Sequence, residues 1–382
     1  MKKIALLGST GSIGKQVLEV VDRYPEKFKI ASLCCNKSAK ELANQIEKYR
    51  PAVAGLTCAE KASEITNLPA GVNLYTGENA LLHCVLSQAD IIVVAVVGFC
   101  GLAPVIEACK MGKTIALANK ESLVAGGKLV MELAKKHGAT IIPIDSEHSA
   151  IWQCLHFNRQ APFKKIILTA SGGALRDIPI NELQNVTPEI ALNHPTWKMG
   201  AKITVDCATM MNKGLEVMEA CWLFDCKPSD IEVVIHPQSI VHSMVEYADN
   251  ALIAQLSNPS MDIPIQLALS YPERLASATN ELDFSLLSLD FSKPSLERYP
   301  CLALALEAAN KGMNYPCALS GANEIAVELF LKGKIKYTQI SKYVRYALDN
   351  TVELKPTYEN LVKTDYLARE AVFTAYKENK ID

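Results

Sequence analysis

Two carboxylates stand one residue apart in Asp145-Ser146-Glu147-His148, directly after the apolar run Ile141-Ile142-Pro143-Ile144. At a strand end such a pair can converge on one hard divalent cation, because magnesium and manganese prefer oxygen ligands. D-x-E alone is common on surfaces, and a third carboxylate is what gives it meaning. Glu216 offers one. In Asp206-Cys207-Ala208-Thr209-Met210-Met211-Asn212-Lys213-Gly214-Leu215-Glu216 a strand is expected to lead into a helix. There Asn212 and Glu216 are i, i+4 while Lys213 and Glu216 are i, i+3, so the three polar groups share a face. That face is either simply solvated or set to bind a phosphorylated, metal-chelated substrate. Met211, Leu215, Met218 and Trp222 recur at helical spacing and read as core.

Two further segments carry chemistry. Ser171-Gly172-Gly173 has the small residues of an anion-binding loop. The stretch 176–200 ends in His194-Pro195-Thr196-Trp197-Lys198-Met199-Gly200. An indole, a histidine and a glycine in one loop suit an active-site lid. The stretch lacks a continuous apolar face, so mobility over all of 176–200 is expected.

A nucleotide end is legible at the start of the chain. Gly8-Ser9-Thr10-Gly11-Ser12-Ile13-Gly14 lies between the first expected strand and helix. Glycines there let the backbone turn tightly and approach a pyrophosphate lying on a helix N-terminus. After the second expected strand the chain reads Leu33-Cys34-Cys35-Asn36-Lys37-Ser38. An NAD enzyme wants a carboxylate there for the ribose hydroxyls, and none is present. Asn36, Lys37 and Ser38 suit a 2'-phosphate instead, which favours NADP. Ala118-Asn119-Lys120-Glu121-Ser122 ends a later strand. Asn119 and Lys120 could reach a nicotinamide; Glu121-Ser122 reads equally as a helix start.

The elements that must position these groups follow from periodicity. The first ~140 residues alternate short apolar runs with amphipathic ones, the pattern of a parallel sheet flanked by helices. Strands are expected at Ile4–Leu7, Ile30–Leu33, Val53–Leu56, Ile91–Val94, Thr114–Leu117 and Ile141–Ile144, the last either at an edge or ending there because of Pro143. Later strands are expected at Ile166–Thr169, Lys202–Val205, Glu232–Ile235, Ser243–Tyr247 and Ala251–Leu256, the last two forming a hairpin. Helices are expected after Cys301: around Leu302–Ala305, over Ala322–Leu331 and over Ile340–Leu348. The fold class is α/β, with four segments. A doubly wound, Rossmann-like NADPH-binding domain covers 1–144 and a central α+β catalytic domain 145–270. A linker over 271–300 leads to a C-terminal helical domain over 301–382.

Composition narrows the partners. The 382 residues exceed what one hydrophobic core organises. With 39 basic and 41 acidic residues the formal charge is -2, which gives no long-range attraction to nucleic acid or anionic membrane. No apolar stretch reaches membrane-spanning length. The 12 cysteines form no C-x-x-C pair and read as reduced thiols of a cytoplasmic protein.

Taken in order, these motifs resemble the 1-deoxy-D-xylulose 5-phosphate reductoisomerase family. The set is completed by His236-Pro237-Gln238-Ser239 and Arg298-Tyr299-Pro300-Cys301-Leu302. The resemblance spans nearly the whole chain. It implies a homodimer that uses NADPH and a divalent metal (Mg, Mn or Co) to rearrange and reduce a small phosphorylated ketose. By motif position, Asp145, Glu147 and Glu216 would hold the metal and, with Lys120 and His148, form the catalytic set. Ser146, Lys120, Ser171, His194, Trp197, Cys207, Asn212 and Lys213, with Glu147 and Glu216, would hold substrate. Gly8 to Ile13, Asn36 to Ser38, Asn119, Glu121 and Gly200 would hold the cofactor. Met199 would help Trp197 cover substrate and nicotinamide.

Two departures stand out: Asp206-Cys207-Ala208-Thr209 where the family usually has D-S-A-T, and Cys35-Asn36-Lys37-Ser38 where it has A-G-x-N. A semialdehyde or homoserine dehydrogenase would leave the three carboxylates unexplained. A nucleotide-sensing regulator would need a nucleic-acid module, and none is apparent.

Overall fold

In the computed structural model, which describes residues 1–156 and 162–381, the chain begins with β1 (Lys2–Leu7), four of whose six residues are fully buried. Six more short strands join it: β2 (Phe28–Cys35), β3 (Val53–Leu56), β4 (Asn73–Thr76), β5 (Ile91–Val94), β6 (Thr114–Leu117) and β7 (Thr140–Pro143). They form one sheet in the order β4-β3-β2-β1-β5-β6-β7, and every pair is parallel. Continuous apolar runs such as Ile91-Ile92-Val93-Val94 mark strands covered on both faces. The order reverses between β1 and β5, which is where doubly wound sheets open a ligand crevice. β7, with Pro143, is an edge strand as expected. β4 had no signal in the sequence; Asn73-Leu74-Tyr75-Thr76 is half exposed and alternates too weakly.

The helices of this region are α1 (Ser12–Arg23), α2 (Ala39–Tyr49), α3 (Ala80–Val85), α4 (Leu102–Lys110) and α5 (Lys120–His137). The rest are α6 (Ser146–His156), α7 (Pro188–Leu192), α8 (Ala201–Ala208), α9 (Met211–Leu223), α10 (Asp262–Ser270), α11 (Pro300–Lys311), α12 (Tyr315–Leu331), α13 (Ile340–Asp349) and α14 (Tyr358–Lys377). A second, mixed sheet runs β11-β10-β8-β9, with β8 (Phe163–Ala170), β9 (Ile231–Ile235), β10 (Val241–Tyr247) and β11 (Leu252–Leu256). The expected hairpin is β10 and β11, turning at Asn250 with φ +64°.

Two compact bodies emerge. The first comprises 1–122, 130–146 and 260–279; the second comprises 123–129, 147–259 and 280–382. The division differs from the sequence expectation because α10 belongs to the first body. Ile265, Ala268 and Leu269 complete its core, Arg23 forms a two-pronged pair with Asp262, and the Lys2 ammonium reaches the Leu269 and Tyr271 carbonyls at 3.1 and 2.8 Å. In the second body the face of α9 carrying Met211, Leu215 and Met218 packs in one core with residues of α11, α12 and α13.

Two local expectations fail. Lys202–Val205 is not a strand but the middle of α8; its β-branched residues suggest a strand, but Val205 and Ala208 are fully buried on one helical face. Trp222 is 37% exposed rather than core, its ring lying over Gly127.

Candidate active site

The nucleotide loop is built from backbone necessity. Gly8 adopts φ +91°, and a Cβ there would lie 2.4 Å from the Ala95 carbonyl oxygen. A Cβ on Gly14 would meet the Gly8 oxygen at 2.2 Å, so the first turn of α1 rides directly on the loop. The Gly8 and Ser9 N–H groups donate to the Cys34 carbonyl, and the Gln45 side chain donates to the Ser9 carbonyl at 3.0 Å. Gln45 was missed in the sequence; its signal was an amide on the buried face of α2. No side chain caps α1. The Ser9 hydroxyl is buried yet has no hydrogen-bond partner among the described residues. Such an orphan is what a bound phosphate oxygen would satisfy. Thr10 to Ile13 continue the loop into α1. Asn36, Lys37 and Ser38 lie exposed after β2, with the Asn36 oxygen accepting from Thr57 at 2.9 Å.

At the end of β6 the side chains turn inward. Asn119 caps α5, accepting from the Ser122 N–H at 3.1 Å and donating to the Val96 and Gly98 carbonyls at 3.0 Å and to Glu121. Asn119 and Glu121 are thus both buried with internal partners. The Lys120 ammonium meets the Asp145 carboxylate at 2.7 Å, with both side chains mostly buried. Ser146 follows at the first position of α6, half-buried.

In the second body, Lys213 sits between two acids, bound to Glu147 at 2.8 Å and to Glu216. The Asn212 amide also donates to Glu216 at 2.5 Å. The face read as solvated or ligand-binding is neither open nor apolar: Asn212, Lys213 and Glu216 are all buried. Glu147 and Glu216 bring carboxylate oxygens within 4.8 Å of each other, and Asp145 precedes Glu147 by two residues along the chain. His148 is fully buried behind them. Its Nε2–H donates to the Glu216 carbonyl at 2.9 Å and its Nδ1 lies 3.5 Å from Glu219. His148 therefore ties α9 to α6. Glu219 was missed; its signal was its place one turn beyond Glu216 on the same face.

The anion loop follows β8. Gly172 and Gly173 take φ +83° and +73°, and a Cβ on Gly173 would strike the Cys207 carbonyl at 2.5 Å. The loop therefore lies against the end of α8, where Cys207 is half-buried. The Ser171 hydroxyl sits 2.9 Å from His194 Nε2. Burial, and then the Arg176 charge, hold the His194 imidazole below its ordinary range. Trp197 is half-buried, its ring edge-on to His242. Gly200 is exposed and precedes α8.

The expected lid is shorter than the sequence suggested. Leu183, Val186 and Ala191 are buried in the helical core, so 178–192 is anchored; the stretch without such anchors is 193–200.

A doubly wound parallel sheet with a glycine loop at its switch point, and a second body carrying buried acids around a lysine, are the parts of a nucleotide-dependent oxidoreductase. Three family descriptions match successive segments. They are 1-deoxy-D-xylulose 5-phosphate reductoisomerase over residues 4–127, its C-terminal domain over 141–224, and the DXP reductoisomerase C-terminal domain over 256–371. A 1-deoxy-D-xylulose 5-phosphate reductoisomerase of Pelotomaculum thermopropionicum is 47% identical over 97% of both chains. That of Clostridium perfringens is 46% identical over 98% of this chain and all of its own. A solved reductoisomerase in complex with NADPH, fosmidomycin and magnesium superposes with TM-score 0.95 at 40% identity, over 100% of this chain and 99% of that one. The Zymomonas mobilis enzyme in complex with NADPH gives 0.91 at 38% identity, over 98% and 99%. The chain belongs to the 1-deoxy-D-xylulose 5-phosphate reductoisomerase family.

Proposed function

We infer that this protein converts 1-deoxy-D-xylulose 5-phosphate to 2-C-methyl-D-erythritol 4-phosphate with NADPH and a divalent cation, a step of non-mevalonate isoprenoid precursor synthesis. The observation that carries the reading is the full-length likeness to the reductoisomerase held with NADPH, fosmidomycin and magnesium. The chain's own chemistry fits those groups. Asp145, Glu147 and Glu216 are all-oxygen donors, suited to magnesium or manganese. The orphaned Ser9 hydroxyl and the Gly8 turn suit a pyrophosphate, and Lys37, in a Leu33 to Ser38 stretch with no carboxylate, suits a 2'-phosphate.

When bound, the cation supplies a Lewis acid that polarises a carbonyl and steadies enolate-like charge, and NADPH supplies hydride. The residues do the rest. Ser171 donates to the substrate phosphate, joined by Asn212, Lys213 and Cys207, with His194 orienting Ser171. Lys213 neutralises Glu147 and Glu216; with those carboxylates holding a cation, its ammonium would pair with the phosphate. Lys120, paired with Asp145, holds a positive charge beside the substrate oxygens, and Ser146 binds the substrate backbone. Trp197 and Met199 exclude water over the reacting carbons, and Asn119, Glu121 and Gly200 shape the nicotinamide end.

The chain forms a homodimer in this reading. β11 is an edge strand exposing Leu252 and Ile253, and Phe284, Leu286 and Phe291 are exposed apolar residues. Light scattering should return twice the 41.7 kDa chain mass. A reducing cytoplasm suits twelve cysteines without a disulfide among the described residues. No described helix is long and apolar enough to cross a membrane.

The decisive assay follows NADPH absorbance with 1-deoxy-D-xylulose 5-phosphate, with and without chelator, and identifies the product. Substrate-dependent oxidation that stops on chelation and returns with magnesium or manganese is expected. Oxidation indifferent to the pentulose phosphate would overturn the assignment.

A further inference from the structure

Helix α9 ends in a cap that brings two thiols together. Asp225 takes the left-handed conformation at φ +50°, and the Cys226 N–H returns to the Cys221 carbonyl at 3.2 Å. This is a Schellman motif, in which the residue after the left-handed one folds back over the last helical turn and the two side chains meet. In most helices that contact is apolar; here both positions are cysteine. A disulfide requires α-carbons about 4.4–6.8 Å apart, and the backbone hydrogen bond draws the two residues together across the cap. Both are half-buried at the margin of a core containing Ile151, Val217 and Ala220, and the Cys226 thiol faces the Ala220 carbonyl at 3.8 Å. The Cys226 thiol hydrogen-bonds Cys221 and holds it below the ordinary cysteine value, while Cys226 itself is pushed up. Cys221 is taken as the attacking thiolate and Cys226 as the resolving thiol.

A second close pair shows why access matters. Cys34 and Cys84 both crowd the point where a Gly55 Cβ would sit, but both are fully buried in the first body. Solvent oxidants reach Cys221 and Cys226 and are kept from Cys34 and Cys84.

We propose that Cys221 and Cys226 form a modification site that hydrogen peroxide oxidises reversibly to an intramolecular disulfide across the α9 cap. The Cys221 thiolate attacks a peroxide oxygen; the O–O bond breaks, and the departing hydroxide takes up a proton as water. Cys226 sulfur then attacks the resulting sulfenic acid at Cys221. The S–O bond breaks, and the leaving hydroxide removes the Cys226 proton as a second water. Two thiols and one peroxide give one disulfide and two waters, and a dithiol reductant reverses it. Such a reversible bridge is the form disulfides take in reducing compartments.

The test treats the reduced full-length protein with equimolar hydrogen peroxide, alkylates the remaining thiols and maps the peptides. The expected result is loss of both thiols and two hydrogen masses in the peptide spanning Cys221 and Cys226, reversed by dithiothreitol. Cys226→Ser should trap Cys221 as a dimedone-reactive sulfenic acid, and Cys221→Ser should leave Cys226 alkylatable at the same dose. The wild-type map stands whether or not either variant folds. The proposal is overturned if both thiols stay alkylatable at a dose that oxidises the exposed Cys100. It is also overturned if each is oxidised singly without a bridge.

Discussion

The His194 imidazole stands 2.9 Å from the Ser171 hydroxyl on one side and accepts the backbone N–H groups of Thr196 and Trp197 at 3.1 and 3.0 Å on the other. With Nδ1 accepting twice, the proton of the neutral ring must lie on Nε2, which donates to Ser171 Oγ. The same oxygen accepts the Gly173 N–H at 3.2 Å. Its own O–H is then left to donate, which suits an anion.

Protonation of His194 sets a hydrogen on Nδ1 against two backbone donors. Burial and Arg176 hold its folded value low, so the neutral ring is favoured in the folded protein. The unfolded chain binds the proton more readily between the two values, so stability is full above about 6.5 and falls as pH drops through that range, levelling once both states are protonated. With Trp152 and Trp222 replaced by Phe, Trp197 fluorescence should report loosening of 193–200 over this window. A signal flat across it would argue that the ring does not hold the segment. His194→Gln should raise the Michaelis constant about two- to ten-fold, since the neutral hydrogen bond that orients Ser171 contributes about 0.5–1.5 kcal/mol.

Asp145→Asn, Glu147→Gln and Glu216→Gln should each nearly abolish turnover while circular dichroism stays native. Neutral amides cannot supply the charge a cation needs. Retention of activity within a few-fold at limiting metal would remove the residue concerned from the ligand set.

Much of this was legible because the chemistry is local. The β1–α1 glycine loop follows from Gly8, Gly11 and Gly14 alone, and the shared face of Asn212, Lys213 and Glu216 follows from helical period. What escaped depends on distant partners. The Ile203-Thr204-Val205 run has strand-forming residues, yet helix α8 is decided by burial of Val205 and Ala208 and by Asn323, which donates to the buried Asp206 at 2.7 Å from more than a hundred residues away. The anchoring of 178–192 was hidden in the same way, since Leu183, Val186 and Ala191 are not periodic but share one core. The α14 helix was covered only by the general helical expectation for 301–382, with no bounds of its own, because its apolar residues, such as Leu361, Ala368 and Val372, are sparse among charges.

Lys213 holds the two acids that the proposed cation would need, so cation and ammonium compete. Lys213→Met should tighten manganese binding in calorimetry without substrate, by roughly ten-fold for one removed charge pair worth about 1.4 kcal/mol. The same variant should bind a phosphonate substrate mimic more weakly. Manganese affinity unchanged or reduced would mean that Lys213 does not oppose the ion.

NADPH should be preferred over NADH by two orders of magnitude or so, because no carboxylate stands among Asn36, Lys37 and Ser38 to hold ribose hydroxyls while Lys37 can pair with a 2'-phosphate. Lys37→Ala should erode the preference by raising the NADPH Michaelis constant and leaving NADH alone. Comparable efficiencies for both cofactors in the unaltered enzyme would refute the reading of this loop.

Cys207 is the last test, because it replaces the hydroxyl usual in the family motif. It is half-buried at the end of α8, and its backbone carbonyl abuts Gly173, so it borders the Ser171-Gly172-Gly173 loop. A thiol is a poorer donor than a hydroxyl. Cys207→Ser should therefore lower the substrate Michaelis constant, by less than the about 1.5–3 kcal/mol of a full charged hydrogen bond, because Ser171, Asn212 and Lys213 remain and water bridges what the thiol does not reach. Substrate should also protect Cys207 from alkylation, and melting temperature should barely move. The opposite pattern, a lower melting temperature with an unaltered Michaelis constant, belongs to a side chain packed as a small apolar group. It would take Cys207 out of the phosphate site.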